Sequence, residues 1–111
     1  MNFIKFLSEA DAAAHLNEVK GDTLSDAQSE KIIDAINILL KLKEGWVLKP
    51  YTGAIKHKVE KGHHKFYFIT YDENEEEYFV SYLKLDYDYS SSPVSDTFDN
   101  DSDALEALEK I

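Results

Sequence analysis

The spacing of apolar residues in the first forty positions predicts two helices, and the second is the more regular. Isoleucine and leucine recur there every three or four residues between positions 32 and 40, which is the period of one helix face. Ser25 and Gln28 form a capping box before this run, and Gly45 follows it as a stop signal. The pattern therefore predicts a helix that starts after Ser25, with Lys41 and Lys43 in its last turn.

An earlier helix is predicted within residues 3–19. Ser8 and Asp11 read as its capping box, which places the start of its regular part at Glu9. Three alanines and Leu16 give this helix a narrow apolar face. The apolar residues up to Leu7 fit either an extension of the helix or a short strand, and the sequence leaves both open.

From Trp46 onwards the pattern changes to that of β-strands. Short alternating or continuous apolar runs, rich in aromatic and β-branched residues, are separated by turn residues. Strands are predicted at residues 46–49, 55–59, 65–71 and 78–85. A last helix is predicted over residues 104–110, with Asp103 as its N-cap and Glu106 completing the cap.

Together these elements predict an α+β fold: an antiparallel meander of three or four strands, N-terminal helices packed on one face, and a short C-terminal helix. The length of 111 residues fits a single domain over residues 1–111. A chain of this size buries about two-thirds of its unfolded surface. We expect a helical part over residues 3–44, a sheet part over 46–89, and an acidic tail with the short helix over 90–111.

The amino-acid composition excludes several classes of functional site. The chain contains no cysteine, which excludes disulfides, thiolate metal sites and cysteine nucleophiles. Gly-rich phosphate loops and the common hydrolase and metalloprotease motifs are absent from the sequence, so we expect no cofactor and no enzymatic activity. The apolar runs are too short to span a bilayer, and the first residues do not resemble a signal peptide. A soluble, cytoplasmic protein without a membrane partner is expected.

Charge is distributed unevenly along the chain. Twenty-two acids and twelve bases give a net charge of −10, and every base is a lysine. Residues 41–65 carry a net charge of +5, whereas residues 66–111 carry −11. Arginine, which binds phosphate through two parallel hydrogen bonds, is absent. Direct binding of nucleic acid is therefore not expected.

Two groups of residues resemble the beginnings of metal sites. His57, His63 and His64 surround one predicted hairpin, and a zinc ion bound by all three could serve a small metal-dependent enzyme. However, neighbouring strand residues point to opposite sides, and four nearby lysines would repel a dication. An exposed basic hairpin without metal is the expected structure.

Three aspartates, Asp99, Asp101 and Asp103, are spaced like the opening of a calcium-binding loop. Ala104 occupies the position that requires glycine, and Lys110 the position of the bidentate glutamate. We therefore interpret this segment as an acidic linker that caps a helix.

Acidic and aromatic residues concentrate together after residue 65. Ten of the fourteen aromatic residues and thirteen of the twenty-two acids lie there. Tyrosine is enriched in protein interfaces, and carboxylates around it attract a basic partner. The candidate partner-binding residues, chosen from charge and expected exposure, are Glu73, Glu75, Glu76, Tyr78, Tyr82, Asp86, Asp88, Asp99 and Asp101.

This distribution predicts a small inhibitor that binds a basic, nucleic-acid-binding surface of another protein, such as a nuclease. In size, acidity and mixing of tyrosine with acids, the chain is similar to small phage-encoded inhibitors of the anti-CRISPR and anti-restriction type. The resemblance is one of composition and implies DNA-mimic-like behaviour, without transferring any functional residue. An immunity protein or antitoxin against a basic toxin is an alternative, and the three-histidine metal enzyme is a second. A homodimer through the tyrosine-rich strand also remains open.

Overall fold

Three helices and five strands form the part of the chain that this computed structural model describes, namely residues 8–20, 24–49, 54–85, 89 and 91–111. In chain order they are α1 Glu9–Asn17, α2 Asp26–Leu39, β1 Trp46–Lys49, β2 Ile55–Glu60, β3 His63–Asp72, β4 Glu77–Lys84, β5 Ser92–Pro93 and α3 Asp101–Glu109. The predicted α+β fold is confirmed. The helix or strand predicted before Ser8 lies outside the described residues.

Helices α1 and α2 begin at the serine caps that the sequence predicts. The Ser8 hydroxyl accepts a hydrogen bond from the backbone N–H of Asp11 at 3.2 Å. Ser25 and Gln28 exchange both hydrogen bonds of a capping box, at 2.9 and 3.2 Å. These bonds satisfy N–H groups that have no partner within the first turn of a helix, so local sequence alone determines both starts.

The end of α2 differs from the prediction. The helix stops at Leu39, because Leu40 is extended with ψ 133°. Lys41 therefore lies beyond the helix and not in its last turn, and the same holds for Lys43. Leu40 and Leu42 are partly buried against the core, and an extended segment lets such alternate side chains point the same way. Packing of these two leucines against the core is therefore favoured over extension of the helix.

Strand β3 is the centre of the sheet. Strand β4 pairs with β3 in antiparallel fashion from Lys65 to Asp72, and β5 joins the far side of β4. The other edge of β3 is shared, with β2 pairing along residues 63–68 and β1 along residues 69–72. Strands β2 to β5 thus form the predicted antiparallel meander, and β1 adds a fifth strand that pairs with β3 beside β2 in one row.

The two faces of the sheet pack against different helices. On one face, Phe66 and Phe68 are fully buried in a cluster with side chains of α1 and α2. Because side chains alternate along a strand, Ile69 points to the opposite face, where Val80 joins it beneath α3. We call this the α3 face. The N-terminal helices therefore cover one face, as predicted, and the C-terminal helix covers part of the other.

Helix α3 begins three residues earlier than predicted. Its N-cap is Asn100, which accepts a hydrogen bond from the backbone N–H of Asp103 at 2.9 Å; the prediction that Asp103 is the cap is wrong. Asparagine and aspartate are equally good caps, so cap preference does not decide the start. In the observed helix Ala104 and Leu108 lie one turn apart on the same side, and both are buried against the sheet.

Candidate functional site

The charges of the sheet separate toward the two ends of β3. This strand has ten residues and runs for about 30 Å between its two turns at roughly 3.3 Å per residue. One end, the acidic end, carries Glu44, Asp72, Glu73, Glu75, Glu76 and Glu77. The other, the lysine end, carries Lys58, Lys61, Lys65 and Lys84 around the turn between β2 and β3.

The turn between β3 and β4 is fixed by one aspartate. One carboxylate oxygen of Asp72 accepts hydrogen bonds from the backbone N–H groups of Asn74 at 2.9 Å and Glu75 at 3.2 Å. Its other oxygen accepts a bond from the indole N–H of Trp46 at 3.2 Å. Asp72 thereby joins the turn to β1. The side chains of Glu73, Glu75 and Glu76 remain exposed.

The turn before β1 supports the acidic end from the side. The backbone N–H of Glu73 donates to the carbonyl of Gly45 at 2.8 Å, and the Asn74 amide donates to the carbonyl of Glu44 at 3.5 Å. Gly45 has φ +88°, and a Cβ at this position would overlap the Asn74 side chain. The positive φ therefore favours glycine, and a Cβ would in addition force the Asn74 side chain to move.

Replacing Gly45 with alanine is expected to destabilise the protein more than the same change at Gly62. Both glycines have positive φ, so each substitution should cost about 1–2 kcal/mol of unfolding free energy from backbone strain. Gly62 has open space at its Cβ position, whereas Gly45→Ala also displaces Asn74 and should lose about 1 kcal/mol more. Urea denaturation of both variants measures the difference, and equal losses would show that the Asn74 contact contributes nothing.

The structure brings most of the described candidate residues to the acidic end. Glu73, Glu75 and Glu76 form the exposed turn itself. Tyr78 follows it on β4, half-buried on the α3 face. The backbone of Tyr78 exchanges two hydrogen bonds with that of Phe98, at 2.8 and 2.7 Å. This pairing places the segment that carries two further candidates, Asp99 and Asp101, alongside the start of β4.

Tyr82 belongs to a different environment. It shares the α3 face with Tyr78, as the alternation predicts, but lies about 13 Å further along β4. Its ring contacts Tyr67, with 5.9 Å between centroids, and the Lys65 ammonium lies 5.6 Å from its centroid. Tyr82 therefore sits beside the lysine end. The remaining two candidates, Asp86 and Asp88, lie outside the described residues.

Sequence reasoning missed Tyr71, which is the cross-strand partner of Tyr78. The centroids of the two rings are 4.6 Å apart, and the ammonium of Lys49 lies 5.1 Å from the centroid of Tyr71. Burial raises the pKa of the Tyr71 hydroxyl, and the nearby charges of Glu76 and Glu73 add to this increase. The sequence contained a signal for this pairing. A four-residue turn at residues 73–76 pairs residue 72 with 77 and therefore residue 71 with 78.

The lysine end contains three lysines that are direct cross-strand neighbours. Lys58, Lys65 and Lys84 occupy one row across β2, β3 and β4, and like charges in this arrangement repel. Glu60 offsets part of the repulsion, because its carboxylate accepts a hydrogen bond from Lys65 at 2.7 Å. This bond lowers the pKa of Glu60 and raises the pKa of Lys65.

Two lysines of β2 hold the end of α3. The Lys56 ammonium donates to the carbonyl of Glu109, and the Lys58 ammonium donates to the carbonyl of Ile111 at 2.7 Å. Carbonyl groups at the end of a helix have no partner within it and carry partial negative charge, which favours nearby cations. Part of the basic segment therefore has a structural role in docking α3 on the sheet.

The three histidines do not meet at one point. His57 Nε2 and His64 Nδ1 are 2.7 Å apart, and His57 stacks on Phe66 with 4.8 Å between ring centroids. His63 is exposed and points to the opposite face, as strand alternation predicts. His57 is only 2% exposed, so the expectation of an exposed hairpin is wrong for this residue.

Burial, followed by the neighbouring His57, lowers the pKa of His64 and so favours its neutral form. Across the described ranges, no group of three histidine, aspartate or glutamate side chains is arranged to hold a metal ion. None of the described helices is long and apolar enough to cross a membrane.

Comparisons of the chain with protein-family models, with curated proteins and with solved structures each give no match.

Proposed function

We propose that this protein is a cytoplasmic inhibitor whose acidic end docks on a basic, nucleic-acid-binding surface of a partner protein, such as a nuclease. The observation that carries the proposal is the separation of charge along β3. Exposed carboxylates cluster at the acidic end, whereas the four lysines of the lysine end lie about 20–30 Å away. Two other lysines are closer to the acidic end: Lys43 lies over the ring of Trp46 and Lys49 over the ring of Tyr71.

The turn at residues 73–76 is already ordered in the free protein, which favours binding. Because hydrogen bonds to Asp72 already order the turn, little conformational entropy is lost when a partner binds. Complementary charge accelerates the encounter and excludes partners of the wrong sign. The half-buried ring of Tyr78 adds contact area beside the carboxylates at low entropic cost.

The partner's identity separates the two biological forms of this proposal. A host nuclease or another nucleic-acid-binding enzyme would indicate an inhibitor of the phage-encoded anti-CRISPR or anti-restriction type. A basic toxin would indicate an immunity protein or antitoxin, which would use the same surface.

The proposal is tested by capture from a lysate of the native host on the immobilised protein, with identification by mass spectrometry. The captured protein is expected to be basic, and added DNA or RNA should compete with the immobilised chain for it. Raising the ionic strength from about 10 to 100 mM shortens the Debye length from about 30 to 10 Å. The affinity for the purified partner should fall steeply over this range. Binding that is insensitive to salt and nucleic acid would contradict the proposal.

A further inference from the structure

The paired rings of Tyr71 and Tyr78 lie on the α3 face next to the turn at residues 73–76, and one of them, Tyr71, already contacts a cation. Their planes are inclined by 42° with 4.6 Å between centroids. The ammonium of Lys49 is 5.1 Å from the Tyr71 centroid, within the range of about 6 Å over which a cation is attracted to a ring face. The geometry of this site therefore suits a positively charged side chain.

Two carboxylates and an apolar residue are neighbours of the same tyrosine. The charges of Glu76 and Glu73 act on the Tyr71 hydroxyl and contribute to its raised pKa. Across the β1–β3 pairing, Val47 is the direct neighbour of Tyr71 and is 37% exposed. The Tyr71 hydroxyl thus lies within the electrostatic influence of two carboxylates, and an exposed apolar residue is its neighbour across the strand pairing.

We propose that Tyr71 and Tyr78 form a seat for one arginine side chain of the basic partner, which displaces Lys49 and pairs with Glu73 or Glu76. The inference rests on the proposed function and specifies the chemistry of the contact. Arginine fits better than lysine, because its planar guanidinium stacks on an aromatic face while forming two parallel hydrogen bonds to a carboxylate.

A short oligo-arginine peptide serves as the probe, titrated into the full chain at about 10 mM ionic strength and followed by NMR. The side-chain protons of the peptide are expected to shift upfield, because they lie over the tyrosine rings. Tyr71→Leu should weaken peptide binding about threefold and remove the shift. Tyr71→Phe keeps the ring and should preserve both. A purely structural role of Tyr71 would leave no ring-current signature on the peptide.

A second pair of variants tests the seat without removing the ring. Lys49→Ala frees the face of Tyr71 and should strengthen peptide binding. Lys41→Ala is the matched control, because Lys41 is exposed and lies outside the seat. The gain for Lys49→Ala should exceed that of the control by about twofold, and equal gains would overturn the proposed displacement of Lys49.

The failure of this inference is distinguishable from failure of the proposed function. If Tyr71→Leu binds the peptide like the native chain while the Glu73→Gln, Glu76→Gln double variant loses binding, the seat is overturned and the acidic end stands. If none of these variants weakens binding, both proposals fall. Equal losses for Tyr71→Leu and Tyr71→Phe would assign the contact to the hydroxyl and overturn a role for the ring face.

Discussion

Reversing Glu73, Glu75 and Glu76 to lysine is expected to weaken binding of the basic partner by at least about a hundredfold. Each reversal removes an attraction and places like charges together, which costs several kcal/mol across an interface; a hundredfold loss corresponds to about 2.8 kcal/mol. The fold should persist, since all three side chains are exposed and the turn is held by Asp72. Isothermal calorimetry with the purified partner measures the affinity, and a thermal melt checks the fold.

A matched variant distinguishes an effect of the acidic end on affinity from an effect of the overall loss of negative charge. Glu18, Glu30 and Asp34 are exposed on and beside the N-terminal helices, and reversing them changes the net charge by the same amount. This variant should retain most of the affinity, with a modest decrease from weaker long-range steering. Equal losses in the two triple variants would show that the acidic end is not the contact surface.

The Phe68→Ala variant is expected to lose about 3–5 kcal/mol of unfolding free energy, the usual range for removing a buried phenylalanine. Phe68 is 0% exposed and belongs to the cluster that joins β3 to α1 and α2. The loss combines the transfer of the ring to water with the cavity that remains. Since domains are stable by only about 5–15 kcal/mol, this single change should remove much of the total stability.

Val59 provides the control for this measurement, because it points to the same face of the sheet from β2 but is 57% exposed. Val59→Ala should cost less than about 1 kcal/mol. Both free energies are obtained from urea titrations. A loss of similar size in the two variants would mean that the helices do not pack on Phe68 as described.

Elements defined by local chemistry were predictable from the sequence, and those defined by packing were not. Ser8 and Ser25 determine the starts of α1 and α2 through bonds within four residues. The end of α2 depends instead on how Leu40 and Leu42 reach the core. The start of α3 likewise depends on the packing of Ala104 against the sheet. Asn100 and Asp103 are both good capping residues, so cap preference does not determine where the helix begins.

The candidate site shows the same division. Alternation along β4 places Tyr78 and Tyr82 on one face, and alternation along β3 separates His63 from His64. It could not reveal that Tyr82 lies beside Lys65, because that contact depends on the register of β3. The pairing of Tyr71 with Tyr78 follows from the length of the turn between β3 and β4, whereas the burial of His57 required knowledge of which layers meet.

The placement of opposite charges at the two turns of β3 contributes an electric dipole component along that strand. An approaching cationic surface exerts a torque on such a dipole and rotates the molecule before the two touch. Fewer collisions are then wasted in wrong orientations, and the gain appears in the association rate constant. For the proposed inhibitor, the consequence is faster capture of a scarce basic target.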